Sequence, residues 1–408
     1  MGSEWWKTKV TDAPLRILYV DTGVGLAGGQ VSLLELLKHL DRQRFTAIVA
    51  SPRGSAIGER CRGMDLAWLE LPFASRYVSE AAGRRRWAAA VDALAALRGA
   101  VTLAGWIKRQ RADIVHANTF KAALVGGFAC IAGRRPMIFH DRVHIGHGRV
   151  GRLVALLSTR IIAVSRAVGS KHRGGAAAKV TVIYDGIDQS EFAPAALRAS
   201  GDRVGFLARI NEEKGLADLV ECAAAVISRV PAASFVIGGA PFTDDDAAHL
   251  AKVKARIAEL GLSDRFRFGG FVERPRSFLE GIDVLALPSR NEPLGLVVLE
   301  ALAVGRPVVA FDVGGPAEII TNGVDGVLVK PGDLDRFAAA LAGALADEEA
   351  RRRLVENGRR TVAARFSSDA FVRQVEALYD EIARRVPRDG GDDGGRAAGS
   401  RGWRGERR

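Results

Sequence analysis

Short apolar runs alternate with stretches of helical spacing along most of the chain. Residues 15–20, 45–50, 66–71, 113–116, 137–139, 161–164 and 180–183 are apolar nearly throughout, as strands are when helices cover both faces of a parallel sheet. Helical length or spacing fills the intervals at 30–40, 84–110, 120–132 and 150–158. Strand followed by helix, repeated, predicts the crossover units of a doubly wound sheet. The pattern then restarts, with strands predicted at 204–207, 234–237, 266–268, 284–287, 308–311 and 327–329 and helices clearest at 217–228, 247–260 and 294–304. Helices at 334–345, 348–366 and 368–385 close it. The expected fold is α/β, two doubly wound Rossmann-like domains facing a central cleft. The first spans 1–188, a linker 189–202 and the second 203–366, followed by a terminal helix over 367–386 and a Gly/Arg/Asp-rich disordered tail over 387–408.

Composition refines this picture. With 408 residues, 48% hydrophobic and 26% charged, the chain reads as a soluble globular protein of two domains. Its most apolar stretch, 87–107, is interrupted by Asp92 and Arg98 and falls short of a membrane span. The start lacks the apolar core of a signal peptide, and Lys7 stands where a lipidation motif after Gly2 wants Ser or Thr. Cys61, Cys130 and Cys222 lack metal-ligand spacing and cannot all pair, so reduced buried thiols and a cytoplasmic location are expected. Charge is uneven: residues 1–198 hold 29 Lys+Arg against 15 Asp+Glu, whereas 199–386 hold 24 against 28. That asymmetry points to an anionic surface or acceptor facing the first half. No nucleic-acid module is present, so nucleic acid is not an expected partner.

Two segments carry candidate chemistry. Gly23-Val24-Gly25-Leu26-Ala27-Gly28 matches the dinucleotide fingerprint between a strand and a helix. No acidic residue ends the second strand, where Arg53 stands instead, so an NADP-linked oxidoreductase is one reading. The wider reading is that Gly28-Gly29 form a side-chain-free turn where a diphosphate can approach. In the second half, Glu292 and Glu300 bracket Pro293-Leu294-Gly295-Leu296. Pro293 suits the first position of a helix, whose open amides at Leu294, Gly295 and Leu296 then form an anion site. Arg209 and Lys214, directly after the first strand of this half, complete a clamp for a leaving diphosphate.

These residues carry a resemblance. "ARINEEKG" and "NEPLGLVVLEALAVGRPVVAFDVGGPAEII" resemble family four of the retaining nucleotide-sugar glycosyltransferases, of the "glycosyl transferases group 1" type. "GLAGGQVSLLELLKHL", "ADIVHANTFKAALVGG", "IIAVSRAV", "VIYDGID" and "FGGFVERPRSFLEGIDVLALPSRNEPLG" are similar to it in the same order, over about residues 15–385. The resemblance implies the GT-B fold, with the last helix crossing back to brace the first domain, and a UDP- or GDP-sugar donor used with retention. It implies Arg209 and Lys214 on the diphosphate, Glu300 on the ribose, and Glu292 with the Leu294–Leu296 amides on the sugar and phosphates. Gly238-Gly239 and Val272 border the base. Many relatives carry a histidine where this chain has Asn118, and Asp185 replaces a more usual Asn, a change read as neutral.

On the acceptor side, Asn118, Lys121, His140, Arg142 and His144 lie just past strand ends, with His140 the catalytic candidate and His116 either core or site. His140-Asp141-Arg142-Val143-His144 offers no closed ligand set, so neither metal nor other cofactor is expected. The acceptor reads as a glycan or lipid-linked molecule. The Arg84-Arg85-Arg86-Trp87 run is either a solvated helix start or a contact with anionic lipid at the membrane's inner face. A sugar-nucleotide epimerase of the same fold is the remaining alternative.

Overall fold

The computed structural model describes residues 13–72, 85–144, 146, 148–196 and 201–385. The tail 387–408, residues 1–12 and Arg84 lie outside the described residues, as do the side chains of Arg85, Arg86 and Trp87. Among the described residues two sheets are present, and every paired strand in them runs parallel. The first contains β1 (Leu15–Val20), β2 (Phe45–Pro52), β3 (Ala67–Leu71), β4 (Ile114–Ala117), β5 (Met137–Asp141), β6 (Arg160–Ala163) and β7 (Val180–Val182). The second contains β8 (Arg203–Leu207), β9 (Ser234–Gly238), β10 (Phe266–Gly270), β11 (Val284–Leu287), β12 (Val308–Phe311) and β13 (Val327–Val329). Each lies within two residues of the segment its apolar run predicted.

The spatial orders are β3-β2-β1-β4-β5-β6-β7 and β10-β9-β8-β11-β12-β13. β1 shows why apolar strands suit this arrangement. Ile17 and Tyr19 enter one core cluster while Leu18 and Val20 enter another on the opposite face, because successive side chains alternate across a strand. Strand order reverses between β1 and β4 and between β8 and β11. The crevice outside the carboxyl ends of the strands at such a reversal is where open α/β sheets bind ligands.

Several features hold the halves together. The helix Ser368–Arg385 follows the second sheet yet buries Phe371, Val375, Tyr379 and Ile382 against Ile17, Tyr19 and Phe45 of the first. Glu376 on the same helix accepts the Asp41 amide at 2.9 Å and Arg44 Nη1 at 3.2 Å. A shared apolar cluster joins Ala163, Val164 and Val168 to Leu294, Leu299 and Ile319. Glu318 accepts the amides of Arg166 and Ala167 at 2.9 and 2.8 Å and the Tyr184 hydroxyl at 2.7 Å. Among the described residues no helix is long and apolar enough to cross a membrane.

Phe371→Ala is expected to cost about 3–5 kcal/mol, the usual result of emptying a buried aromatic site. Urea unfolding of the full chain measures this, and an unchanged midpoint would mean that the last helix does not carry the packing of the first sheet.

Candidate active site

The loop after β8 is folded onto the exit of β11. Asn211 Oδ1 accepts the Lys214 amide at 3.1 Å and closes a single turn over Glu212–Lys214. Gly215 follows at φ +74°, and a Cβ there would stand 1.9 Å from the Pro288 carbonyl oxygen. Only glycine permits that approach. The result places Lys214 Nζ 2.7 Å from Glu292 Oε2, both side chains largely buried. Arg209 lies in the same loop, but its Nε and Nη2 donate to Asp246 Oδ2 at 3.0 and 2.7 Å. That oxygen also accepts the amides of Phe242 and Thr243. Burial opposes ionisation of Asp246, but Arg209 and the Phe242 amide outweigh it and hold the carboxyl below its ordinary range. Arg209 is therefore an oriented cation with a carboxylate already against it.

The segment carrying Glu292 departs from expectation. The helix starts at Leu296 rather than at Pro293, with Gly295 at φ +89° as its N-cap. Residues 292–294 are instead held against a second backbone segment. The Glu292 carbonyl accepts the Gly315 amide at 2.9 Å and shares a 3.1 Å hydrogen bond with His144 Nε2. A Cβ on Gly314 would lie 2.1 Å from the Glu292 oxygen, and one on Gly315 2.1 Å from the Leu294 oxygen. The first-turn amides thus belong to Leu296 and Val297, not to Leu294 and Gly295. Gly28 and Gly29 do not form the expected turn but open the helix Gly28–His39, with Ala27 as its N-cap. Across the cleft, a Cβ on Gly28 would stand 3.5 Å from Leu296 Cδ1, so the two helix starts face each other. Glu300 follows one turn in and is buried. Burial, with the Glu191 carboxylate adding to it, pushes its carboxyl up to about 7. Gly238 and Gly239 end β9 without side chains because Val272 Cγ2 and the Ala208 oxygen occupy the Cβ positions, at 2.8 and 1.8 Å.

In the first half, the expected acceptor residues join one internal network. Asp21 ends β1 and accepts Asn118 Nδ2 at 2.7 Å, Gln30 Nε2 at 3.0 Å and the Gly23 amide at 2.7 Å. Asn118 also meets Arg142 Nε at 3.3 Å. Arg142 donates to Asp185 Oδ2 at 2.5 Å and Ser32 Oγ at 2.9 Å, and its Nη2 lies 3.2 Å from His140 Nδ1. His140 shares that nitrogen with His116 Nε2 at 3.2 Å, and His116 Nδ1 lies 2.6 Å from the Tyr379 hydroxyl.

Several readings change accordingly. His140 is fully enclosed instead of facing the cleft, and its Nε2 has no hydrogen-bond partner. Burial, and then the nearby Arg142 charge, lowers both imidazoles, His116 to about 3. His140 is thus enclosed beside Arg142, whose Nη2 lies 3.2 Å from its Nδ1. Asn118 is 2% exposed and spent on Asp21. Asp185 is not neutral to the site, since it holds Arg142 beside Gly29, where a Cβ would meet Arg142 Cδ at 3.0 Å. Lys121 is exposed near the start of the helix Phe120–Gly133.

Asp21, Gln30, Ser32 and Asp246 were not singled out from sequence. A carboxylate ending the first strand of a doubly wound sheet was the available signal for Asp21, whereas nothing local marks the others. Glu35, His39 and Asp188 also converge within 4.8 Å, but Lys38 already donates to Asp188 at 2.5 Å. The three cysteines are free and buried.

Residues 189–361 match the family described as Glycosyl transferases group 1, and residues 26–191 match Glycosyltransferase Family 4. A D-inositol 3-phosphate glycosyltransferase of Geodermatophilus obscurus is 33% identical over 304 residues, 69% of this chain and 64% of that protein. The lipopolysaccharide core biosynthesis glycosyltransferase LpsE of Rhizobium meliloti is 36% identical over 165 residues, 40% of this chain and 46% of that protein. These matches therefore span less than two thirds of either relative. Anabaena HepE, crystallised with UDP-glucose, superimposes with a TM-score of 0.76 at 22% identity, over 90% of this chain and all of that one. At this identity the likeness is one of fold.

The Glu300 carboxyl binds its proton more tightly in the folded chain than in the unfolded one. Its contribution to stability is present below the ordinary glutamate range and is lost as pH rises through about 7. Thermal melts of the native chain should fall across that window, and Glu300→Gln should flatten the fall. Parallel pH profiles for the two proteins would dismiss the assignment.

Proposed function

We infer the reaction from one premise: the chain belongs to the glycosyl transferases group 1. It moves a sugar from a nucleotide diphosphate to an acceptor hydroxyl. The observation supporting this is the meeting of Lys214, Glu292 and the Leu296–Val297 amides at the strand-order reversal of the second sheet, opposite the Gly28-Gly29 helix start of the first.

As the anomeric bond breaks, negative charge grows on the departing diphosphate. Lys214, Arg209 and the helix amides face that charge, and fixed donors of this kind need no reorganisation during the reaction. No metal is needed in this reading, because the charge is met by protein groups. Glu292 receives the sugar hydroxyls and Glu300 the ribose. Gly238 and Val272 wall the base. The acceptor oxygen bonds the anomeric carbon on the face the diphosphate leaves, and the diphosphate carries off the hydroxyl proton, so configuration is retained. HepE was solved with UDP-glucose, which makes a UDP-sugar the donor proposed here.

The acceptor is a glycan or a lipid-linked molecule. Leu97, Val101, Phe128, Ile131 and Leu156 are exposed on neighbouring helices of the basic half. Exposed apolar side chains on the basic half support peripheral contact with an anionic membrane. An oxidoreductase reading leaves Lys214, Glu292 and Glu300 without a task.

Lys214→Ala is expected to lower turnover by about 10²–10³, with Arg209→Ala similar, in an assay of UDP release. Unimpaired release in both would end the clamp. A thermal-shift series with UDP, GDP, UDP-glucose and NADP should show a uridine-dependent shift that EDTA leaves unchanged. A shift with NADP alone would return the function to the glycine fingerprint.

A further inference from the structure

Beside the cleft, at the carboxyl end of β5, lies a cavity of about 650 Å³. Alternation along β5 divides its chemistry. His140 and Arg142 turn into the network around Asp185, while Asp141 turns to the cavity. Asp141 is 1% exposed and accepts Lys171 Nζ at 2.8 Å and His172 Nε2 at 2.7 Å. Its charge is satisfied internally, and it fixes both partners as a wall.

Arg152 and Arg173 also line the cavity and are exposed. Among the described residues, neither has an ion-pair or side-chain hydrogen-bond partner. The rings of Phe120 and Phe139, which line the same cavity, meet edge to face with centroids 6.3 Å apart. Two unpartnered guanidinium groups and two aromatic rings lining one cavity fit a ligand that is anionic at one end and apolar beside it. Guanidinium forks match phosphate oxygens in pairs.

We propose that this cavity binds a phosphate or diphosphate ester carried by the acceptor, held by Arg152 and Arg173. The proposal rests on the transferase reading, which supplies the need for an acceptor. The location fits. Asp141 is three residues from His144, at most about 11 Å of extended chain, and His144 Nε2 touches the Glu292 carbonyl. An ester bound here leaves its attached sugar or alcohol beside the reacting centre.

Calorimetric titration of the full chain and of an Arg152→Gln/Arg173→Gln double variant tests this. The probes are octyl phosphate, glucose 1-phosphate, octyl glucoside and UDP. At least one phosphate ester should bind the native chain, and the double variant should bind it at least about tenfold more weakly. Octyl glucoside, lacking charge, should not distinguish the two proteins. Preference for octyl phosphate over glucose 1-phosphate identifies a lipid-anchored ester, and the reverse identifies a soluble sugar phosphate. Failure of both esters to bind, or equal binding by both proteins, overturns the proposal. Both side chains are exposed, so the variant should melt with the native chain. UDP should bind both equally. A native chain that ignores UDP would count against the donor site alone and leave the ester result standing.

Discussion

The carbonyl oxygen of Glu292 meets the Gly315 amide and the His144 imidazole, while the carboxylate of the same residue holds Lys214. One residue thus ties the β8 loop, the β11 exit, the loop after β12 and the first half of the chain. The arrangement depends on close backbone contact. Gly215, Gly314 and Gly315 each lie where a Cβ would come within 2.1 Å of a carbonyl oxygen. With these approaches in place, the helix from Leu296 starts opposite Gly28, and Glu300 is buried one turn along it. If residues 292–294 moved away, neither the Lys214 ion pair nor the His144 contact from the first half would survive unchanged.

A second constraint runs through the first half as a chain of buried polar groups. It passes from Tyr19 and Tyr379 through His116 and His140 to Arg142, Asp185, Asn118 and Asp21. Buried polar groups are costly unless partnered, and here nearly every one is. The chain joins the last helix to the start of the helix Gly28–His39, so packing of residues near the C-terminus bears on the position of Arg142 beside Gly29. The neutral histidines are consistent with this role. A charged imidazole would repel the Arg142 guanidinium in a site that water cannot screen.

The two halves divide their electrostatics. In the second, Lys214 and Arg209 are each matched by a carboxylate, and local charge nearly balances. In the first, Asp141 and Asp185 are consumed by internal partners, and Arg152 and Arg173 stand exposed at the cavity beside them. A half with fixed, neutralised cations suits a defined diphosphate that displaces or joins those pairs. A half with free guanidiniums suits an anionic ligand that arrives from outside.

The pattern of apolar positions determined the two parallel sheets, their strands and most of their helices, because a strand buried on both faces must be apolar at every position. The glycines and charged residues after β8 and β11 were legible too, since chemistry at a doubly wound sheet collects at the strand ends. Tertiary structure alone decided the start of the helix at Leu296, where local sequence favoured Pro293 and contact with Gly314-Gly315 prevailed. It also decided that His140 is enclosed, that Asp185 anchors Arg142 across 43 positions, and that Asp246 restrains Arg209 across 37. Periodicity reports which face a residue turns to the core. It carries no record of which distant group waits there, and in this protein those distant groups set the state of each candidate side chain.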